Sequence, residues 1–365
     1  MAQRVGILTG GGDCPGLNAA IRGVVKAAAG LGWEVVGIRR GFEGLLPPHD
    51  TRALTLESTS EILTLGGTIL GAASGGRFAA KTGHGEAGRL PAELIRETQQ
   101  SIEKLGITAL VAAGGDGTLS IAQQFFEAGT PVVAIPKTID NDLQATVITF
   151  GFDSAVACAT DALDRLQTTA GSHGRVFVLE LMGRYAGWIA IHAGIAGGAD
   201  VILIPEIPFR YEAIARQIEK LEKLGRNFAL IAVAEGAREE GGEYAVKGPM
   251  RADKEAQLGG IGERVAAEIK KRCGKETRTV VLGHLQRGGG PTTFDRLLAT
   301  RYGVAAVQMI AEKQFGMMAA LRPPDIVAVP IKDAIGKIRT VPPDGNVVRT
   351  ARALGISMGA ASELA

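Results

Sequence analysis

Short apolar runs that end in glycine- and aspartate-rich loops, and alternate with helical stretches, constrain this chain more than any other feature. Arg4–Thr9 reads as a first strand, with a helix from Asn18 to about Gly30 and a second strand over Glu34–Ile38. Glu93–Leu105 has helical periodicity and is followed by a strand at Ala109–Ala113, a helix over Leu119–Ala128 and a strand at Val132–Ile135. This βαβα order predicts a parallel, doubly wound sheet. Past Gly151 the rhythm restarts, which sets a domain boundary near that residue. A helix over Asp153–Leu166 leads to strands at Val176–Leu181, Ala199–Ile204, Phe228–Ala234 and Arg278–Leu282, with a helix at Tyr211–Leu224. Ala237–Asp253 reads as a long surface loop, and Pro323-Pro324 and Pro342-Pro343 bracket the least legible part of the chain. The 365 residues suit two domains, and a hydrophobic content of 46% supplies their cores.

Bulk properties exclude several classes. A net charge of +2 points to neither nucleic acid nor an anionic membrane surface. Cys14, Cys158 and Cys273 have no metal-ligand spacing and form no disulfide framework, so a cytoplasmic location is expected. The start enters a strand pattern with no signal-peptide core, and no apolar run is long enough to span a bilayer.

In an open α/β sheet the loops at the carboxyl ends of the strands line the ligand crevice. Two such loops here carry aspartates: Gly114-Gly115-Asp116-Gly117-Thr118, and Pro136-Lys137-Thr138-Ile139-Asp140-Asn141-Asp142. Glycines let backbone N–H groups approach an anion closely. Carboxylates beside phosphate repel it unless a cation lies between them or one acts as a base, so both loops point to Mg²⁺-assisted phosphoryl transfer. Thr138, Asp140 and Asp142 alternate along an extended loop and share one side of it. The first strand runs into Thr9-Gly10-Gly11-Gly12-Asp13 and then a helix, a turn that aims N–H groups at an anion but is neither a Walker A loop nor GxGxxG. Downstream lies a cationic set of Arg175, Arg184, Arg278, His284 and Arg287, whose guanidiniums suit bidentate phosphate binding. Glu235 ends a strand and is placed to accept sugar hydroxyls. His49 and His192 have no such context and read as exposed or structural, and the stripe Ile189, Ile191, Ile195 reads as core.

Taken in order, GGGDCPGLNAAIRG, GGTILG, GGDGT, PKTIDND, SHGR, MGRYAGW, AGGAD, IPE and GHLQRGGGPTTFDR resemble the phosphofructokinase family over roughly residues 4–310. The resemblance implies two Rossmann-like α/β domains with the active site between them. It implies a phosphate-donor domain over 1–150, completed by about 285–325, and a sugar-phosphate domain over 151–284, completed by the C-terminal segment to 365. It implies phosphoryl transfer to the 1-hydroxyl of fructose 6-phosphate in glycolysis, with Mg²⁺ and a homo-oligomer, tetramer or dimer.

By the same resemblance Asp140 is the base, Thr138 and Asp142 flank the transferring phosphoryl group, and Arg184 joins the catalytic set. Asp116 serves Mg²⁺. Gly12, Gly115, Asp116, Gly117 and Thr118 contact the donor. Ile139, Met182, Gly183, Arg184, Glu235, His284, Leu285, Gln286 and Arg287 surround the sugar phosphate, with Arg175 and Arg278 reaching in from a neighbouring subunit.

Members that use pyrophosphate carry Asp where this chain has Gly117 and Lys where it has Lys137. Gly117 with Lys137 resembles a mixed, mostly ATP-dependent subgroup, so ATP is the expected donor and pyrophosphate the alternative. A third reading is a catalytically silent nucleotide-sensing subunit; Asp116, Asp140 and Arg184 together argue against it. Relatives place an Arg close behind GGTILG; here Ala72-Ala73-Ser74-Gly75-Gly76 intervenes, so either Arg77 substitutes or that contact is missing. Lys26, Gln167 and Asp200 stand where regulated relatives have Arg, Arg and Glu, so weak effector regulation is expected.

Overall fold

A computed structural model describes residues 3–73, 76–78, 88–246 and 258–364. The part of the expected 237–253 loop from 247 on therefore lies outside the described residues. The chain divides into two compact units, 1–154 with 287–338, and 155–286 with 339–365. The return to the first unit runs to Ile338 rather than to about 325, because a hairpin there extends the first sheet.

The first unit contains β1 (Arg4–Thr9), α1 (Leu17–Gly30), β2 (Glu34–Ile38), β3 (Thr51–Leu54), α2 (Ala92–Lys104), β4 (Ala109–Gly114), α3 (Asp116–Glu127) and β5 (Val132–Pro136). The connecting helix α4 (Phe152–His173) starts in this unit and carries the chain into the second. There follow β6 (Val176–Leu181), α5 (Trp188–Ala196), β7 (Val201–Leu203), α6 (Tyr211–Lys223), β8 (Ala229–Ala234), α7 (Ile261–Cys273) and β9 (Thr277–Val281). α8 (Thr293–Ala311), β10 (Met317–Arg322) and β11 (Asp325–Pro330) complete the first unit, and α9 (Asn346–Ala353) belongs to the second.

The first sheet has the order β11-β10-β5-β4-β1-β2-β3. Its inner strands are parallel, but β3 and β11 pair antiparallel at the two edges, so the sheet is mixed rather than wholly parallel. β4 and β5 are buried at every position, as strands covered on both faces must be. α2 turns Leu94, Thr98, Ser101 and Ile102 inward, one helical face, which is why its periodicity was readable. Registers Thr9↔Ala113 and Gly114↔Pro136 bring the ends of β1, β4 and β5 level. Their loops therefore emerge side by side, and between β1 and β4 the strand order reverses, the place where open α/β sheets bind ligands.

The second sheet is fully parallel, in the order β7-β8-β6-β9. Leu181↔Ala234 and Glu180↔Val281 level the ends of β6, β8 and β9 in the same way. Its core packs Val176, Val178, Ile231 and Val233 against Ile214 and Ile218 of α6 and Val265 and Ile269 of α7.

Asp295, in the first turn of α8, is fully buried and its Oδ2 accepts both the N–H and the hydroxyl of Ser154 at 2.7 Å. Asp295→Ala would strand both donors in the interior and is expected to cost about 2–4 kcal/mol of unfolding free energy. Burial pushes this carboxyl up to about 6. A raised folded pKa means that the native state binds the proton more tightly, so the carboxyl contributes most at low pH and its contribution is lost as pH rises from about 4 through 6. The deficit of the variant in urea unfolding should thus be larger at pH 4 than at pH 7; an equal or smaller deficit at pH 4 would refute the assignment.

Candidate functional site

In the first unit the loops after β1, β2, β4 and β5 enclose a cleft of about 340 Å³, lined among others by Gly10–Gly12, Arg40, Phe42, Glu43, Gly115–Thr118, Lys137, Thr138, Asp140 and Arg287. The glycines are a matter of space. A Cβ at Gly10 would stand 2.5 Å from Thr118 Oγ1, and one at Gly114 would stand 2.2 Å from Thr118 Cβ. The buried Thr118 thus requires both preceding loops to be bare backbone, which leaves N–H groups at the cleft wall. α3 begins at Asp116 with no side-chain cap, so its first N–H groups and the positive end of its dipole are available to an anion. The Asp116 Oδ1 accepts the Gly336 N–H at 2.9 Å, a contact supplied by the C-terminal return of the chain to this unit.

The loop after β5 is pinned from within. Asn141 takes a left-handed conformation (φ 51°), and its Oδ1 accepts the Thr149 N–H at 3.0 Å. The Thr149 hydroxyl donates to the Thr138 carbonyl at 2.7 Å, and Thr138 Oγ1 accepts the Asp140 N–H at 3.1 Å. The half-buried Asp142 is pushed up to about 7, first by burial and then by the neighbouring Asp140 carboxylate; the Thr138 hydroxyl offsets part of this. One carboxyl of this loop therefore holds its proton far more tightly than an ordinary aspartate, an arrangement that can separate proton-carrying from charge-carrying roles.

Lys137 is buried, and its ammonium donates to the Gly12 carbonyl, tying the β5 loop to the β1 loop. Burial lowers its pKa from the ordinary lysine value. Beside it, Cys14 is wholly buried and packs in the interior, where burial pushes its thiol up to about 12. Arg287 lies over Gly12 and donates to the Asp13 carbonyl at 3.1 Å.

In the second unit the loops after β6, β8 and β9 converge. The Gln286 Oε1 accepts the Met182 N–H at 2.9 Å, with Gln286 wholly buried. The Glu235 N–H donates to the Leu181 carbonyl at 2.8 Å, and the Gly236 N–H to the Gly183 carbonyl at 3.2 Å. A Cβ at Gly236 would fall 1.8 Å from the Arg184 carbonyl oxygen, so the two loops touch as backbone. This sets Met182, Gly183, Arg184, Glu235 and Gln286 together, with the Arg184 guanidinium 5.6 Å from the Tyr185 ring centre. His284 and Leu285 are exposed on the same short turn. Arg175 and Arg278 both pair with Glu276, Arg175 at 2.7 Å.

A cleft that offers uncapped N–H groups, a buried ammonium and three nearby carboxylates is built for a phosphorylated ligand with a cation or a base beside it. The family profile for phosphofructokinase matches residues 4–310. The chain belongs to the phosphofructokinase family. An ATP-dependent 6-phosphofructokinase of Chloroflexus aurantiacus is 52% identical over 359 residues, covering 98% of each chain. A pyrophosphate–fructose 6-phosphate 1-phosphotransferase of Amycolatopsis methanolica is 50% identical over 345 residues, covering 94% of this chain and 97% of that one. Among solved structures, Pichia pastoris phosphofructokinase in the T-state superposes with a TM-score of 0.79 at 30% identity, covering 92% of this chain but only 35% of the longer yeast chain.

With this phosphofructokinase fold in view, the expected donor residues Gly12, Gly115, Asp116, Gly117, Thr118 and Lys137 all line one cleft. Arg77 does not line it; its guanidinium makes a two-pronged pair with Glu97, at 2.7 and 3.2 Å, on the exposed surface. Arg287, expected at the sugar phosphate, lines this same cleft, whereas Gln286 beside it belongs to the second unit. Ile139 is wholly buried and packs as core. Asp200 is engaged by the Leu230 N–H at 2.8 Å and by Arg226 at 2.7 Å, which spends its carboxylate on the β7–β8 pairing. Sequence reading missed Arg40, Phe42, Glu43 and Phe78 on the cleft wall. The first three follow β2, a parallel neighbour of β1, so the strand-end rule that selected the other loops applies to them equally. Phe42 stacks on Phe125 at 5.3 Å and Glu43 accepts the Phe78 N–H at 2.9 Å, which gives this wall a fixed aromatic surface.

Proposed function

We propose that this chain is a 6-phosphofructokinase that moves the terminal phosphoryl group of ATP to the 1-hydroxyl of fructose 6-phosphate, yielding fructose 1,6-bisphosphate in glycolysis. The observation that carries the reading is the pinned Thr138–Asp142 loop, which opens on the same cleft as the uncapped start of α3. The α3 N–H groups and Lys137 hold donor phosphates, and the aromatic wall at Phe42 and Phe78 suits a nucleoside. Asp140 takes the proton of the attacking hydroxyl as the oxygen–phosphorus bond forms, and Thr138 orients the loop that carries it. Met182, Gly183, Arg184 and Glu235 hold the sugar phosphate, with Arg184 as the bidentate phosphate ligand.

Asp116 fits a Mg²⁺ ligand. Among the described residues no group of three or more His, Cys, Asp or Glu forms an all-protein metal cage. Mg²⁺ does not need one, because one or two carboxylates suffice when phosphates and waters complete the shell. When bound, the ion would offset phosphate charge as the bond to the leaving group breaks.

Pyrophosphate is the second reading for the donor, favoured by the buried Lys137 and by the 50% identity to a pyrophosphate-dependent relative. No helix of the described residues is long and apolar enough to cross a membrane; a cytoplasmic homo-oligomer, tetramer or dimer, completes the proposal. The deciding assay offers purified protein fructose 6-phosphate and Mg²⁺ with ATP or pyrophosphate. Turnover with neither donor would reject the enzyme reading, and a higher kcat/KM with pyrophosphate would replace ATP as donor.

Gln286 gives this reading a further check. Its buried side chain fixes the Met182 backbone, so Gln286→Leu should let the Met182–Arg184 loop relax while leaving the donor cleft intact. The KM for fructose 6-phosphate should rise about tenfold, the worth of one lost buried hydrogen bond, with the KM for the donor unchanged. Equal shifts in both constants would indicate general loosening instead.

A further inference from the structure

The second unit carries another pocket, of about 430 Å³, lined by residues of α6, inside the matched family span, and of α9 and the C-terminal segment, beyond it. α6 presents Arg216, Gln217 and Lys220 on one side, and Arg352 faces them from the end of α9. The floor is Gly355–Ser357, fixed as an added strand position beside β7: the Ile202 N–H donates to the Ser357 carbonyl at 2.9 Å, and the Ser357 N–H to the Asp200 carbonyl at 3.0 Å. The Gln217 Nε2 donates to the Gly355 carbonyl at 2.9 Å and so fixes the wall to the floor.

The charge in this pocket is poorly balanced. Among the described residues Glu363 is the only acid on its lining, and both its oxygens are taken, one by the Ser357 hydroxyl and one by the Met358 N–H at 2.9 Å. Arg216 donates to the Glu363 backbone carbonyl at 3.0 Å, which brings no negative charge. Arg352 stands 3.9 Å from Asp344, whose side chain is fully exposed, a pair worth little in water. Lys220 has no ion-pair partner among the described residues. Three cations thus converge over a rigid polar floor, a volume in the range of small-molecule sites.

We propose that this pocket binds the phosphoryl group of a small phosphorylated metabolite, at a second anion site separate from the donor cleft and the β6–β8–β9 loops. A tetrahedral dianion can take hydrogen bonds from two guanidiniums and an ammonium at once, which a monovalent halide cannot. The test uses the full chain and inorganic phosphate as probe, titrated calorimetrically at constant ionic strength. The Lys220→Ala/Arg352→Ala double variant should lose one phosphate site per chain, or at least about tenfold in its affinity. Arg184→Ala, altered elsewhere, should keep that site. Both substituted side chains in the double variant lie at the surface, and an unchanged melting temperature confirms its fold; Lys220→Glu serves as a second variant that should abolish the site by charge reversal. Turnover without added phosphate should stay within about twofold of wild type in the double variant, since neither residue belongs to the catalytic machinery. Wild-type stoichiometry and affinity in both variants would overturn the proposal, as would displacement of phosphate by an equal concentration of chloride.

Discussion

Asp140→Asn is expected to lower kcat by about 10²–10⁴-fold, the usual worth of a general base, while fructose 6-phosphate still binds. The substitution keeps the shape of the side chain but removes its negative charge and its capacity to take a proton. Backbone and neighbouring side chains hold the course of the loop. The Thr138 carbonyl is held by the Thr149 hydroxyl at 2.7 Å, the Asn141 side chain by the Thr149 N–H at 3.0 Å, and the Asp140 N–H by Thr138 Oγ1 at 3.1 Å. The variant should therefore fold and melt like the parent. Asp142 adds a second signature. It is pushed up to about 7 by burial and by the charge on Asp140, so loss of that charge should lower its pKa and shift the acidic limb of any residual activity to lower pH. Steady-state kinetics with saturating donor decide the matter: more than half the wild-type kcat in Asp140→Asn would remove Asp140 from the role of base.

The strand-end loops were legible because their physics is local. Each follows a short run of Val, Ile, Leu and Ala that is buried on both faces, and the loops after β1 and β4 break at glycine where the backbone must come close to Thr118. The Met182–Arg184 and Glu235 loops follow β6 and β8 by the same logic. What the chain did not declare depends on distant partners. α8 buries Leu298, Ala299, Tyr302, Gly303, Ala305, Ala306, Val307, Met309 and Ile310, positions that fall all around the helix, so it has almost no amphipathic signal. Its path is set by close packing on α1, where a Cβ at Gly303 would stand 2.4 Å from the Ala20 carbonyl and one at Gly23 2.7 Å from the Thr300 carbonyl. Pro323-Pro324, at the edge of the least legible part of the chain, is the turn between β10 and β11. Arg77 was the substitute candidate for a phosphate contact, set back from the family position by Ala72-Ala73-Ser74-Gly75-Gly76, but Glu97 on α2, twenty positions on, offers a carboxylate in fork geometry. The Gly336 N–H on Asp116 joins residues 220 apart in the sequence, and no local pattern announces it.

Gly117→Asp is expected to reverse or level the donor preference. Gly117 lies in the first turn of α3, on the wall of the cleft that holds the donor in the proposed reading. As glycine it adds no side chain there, so the backbone N–H groups at the start of the helix are open and the space beyond them can take a nucleoside diphosphate. A carboxylate at this position would stand where the α-phosphate of ATP must pass. Two like charges near 4 Å repel by about 4 kcal/mol at an effective dielectric of about 20, enough for a discrimination of about 10²-fold or more even after partial relaxation. Pyrophosphate ends before that point and escapes most of the repulsion, so specificity would change through an unfavourable contact with ATP rather than a new attraction to pyrophosphate. Lys137 works in the other direction. Its ammonium is held at the Gly12 carbonyl, on the same cleft, where it favours pyrophosphate and opposes the ATP preference that Gly117 permits. The measurement is kcat/KM for ATP and for pyrophosphate in the parent and in Gly117→Asp. ATP should be preferred in the parent, and the ATP-to-pyrophosphate ratio should fall by about 10²-fold in the variant. A ratio that does not move would mean that the side chain at position 117 does not face the donor, and a parent that already prefers pyrophosphate would place the choice with Lys137 instead.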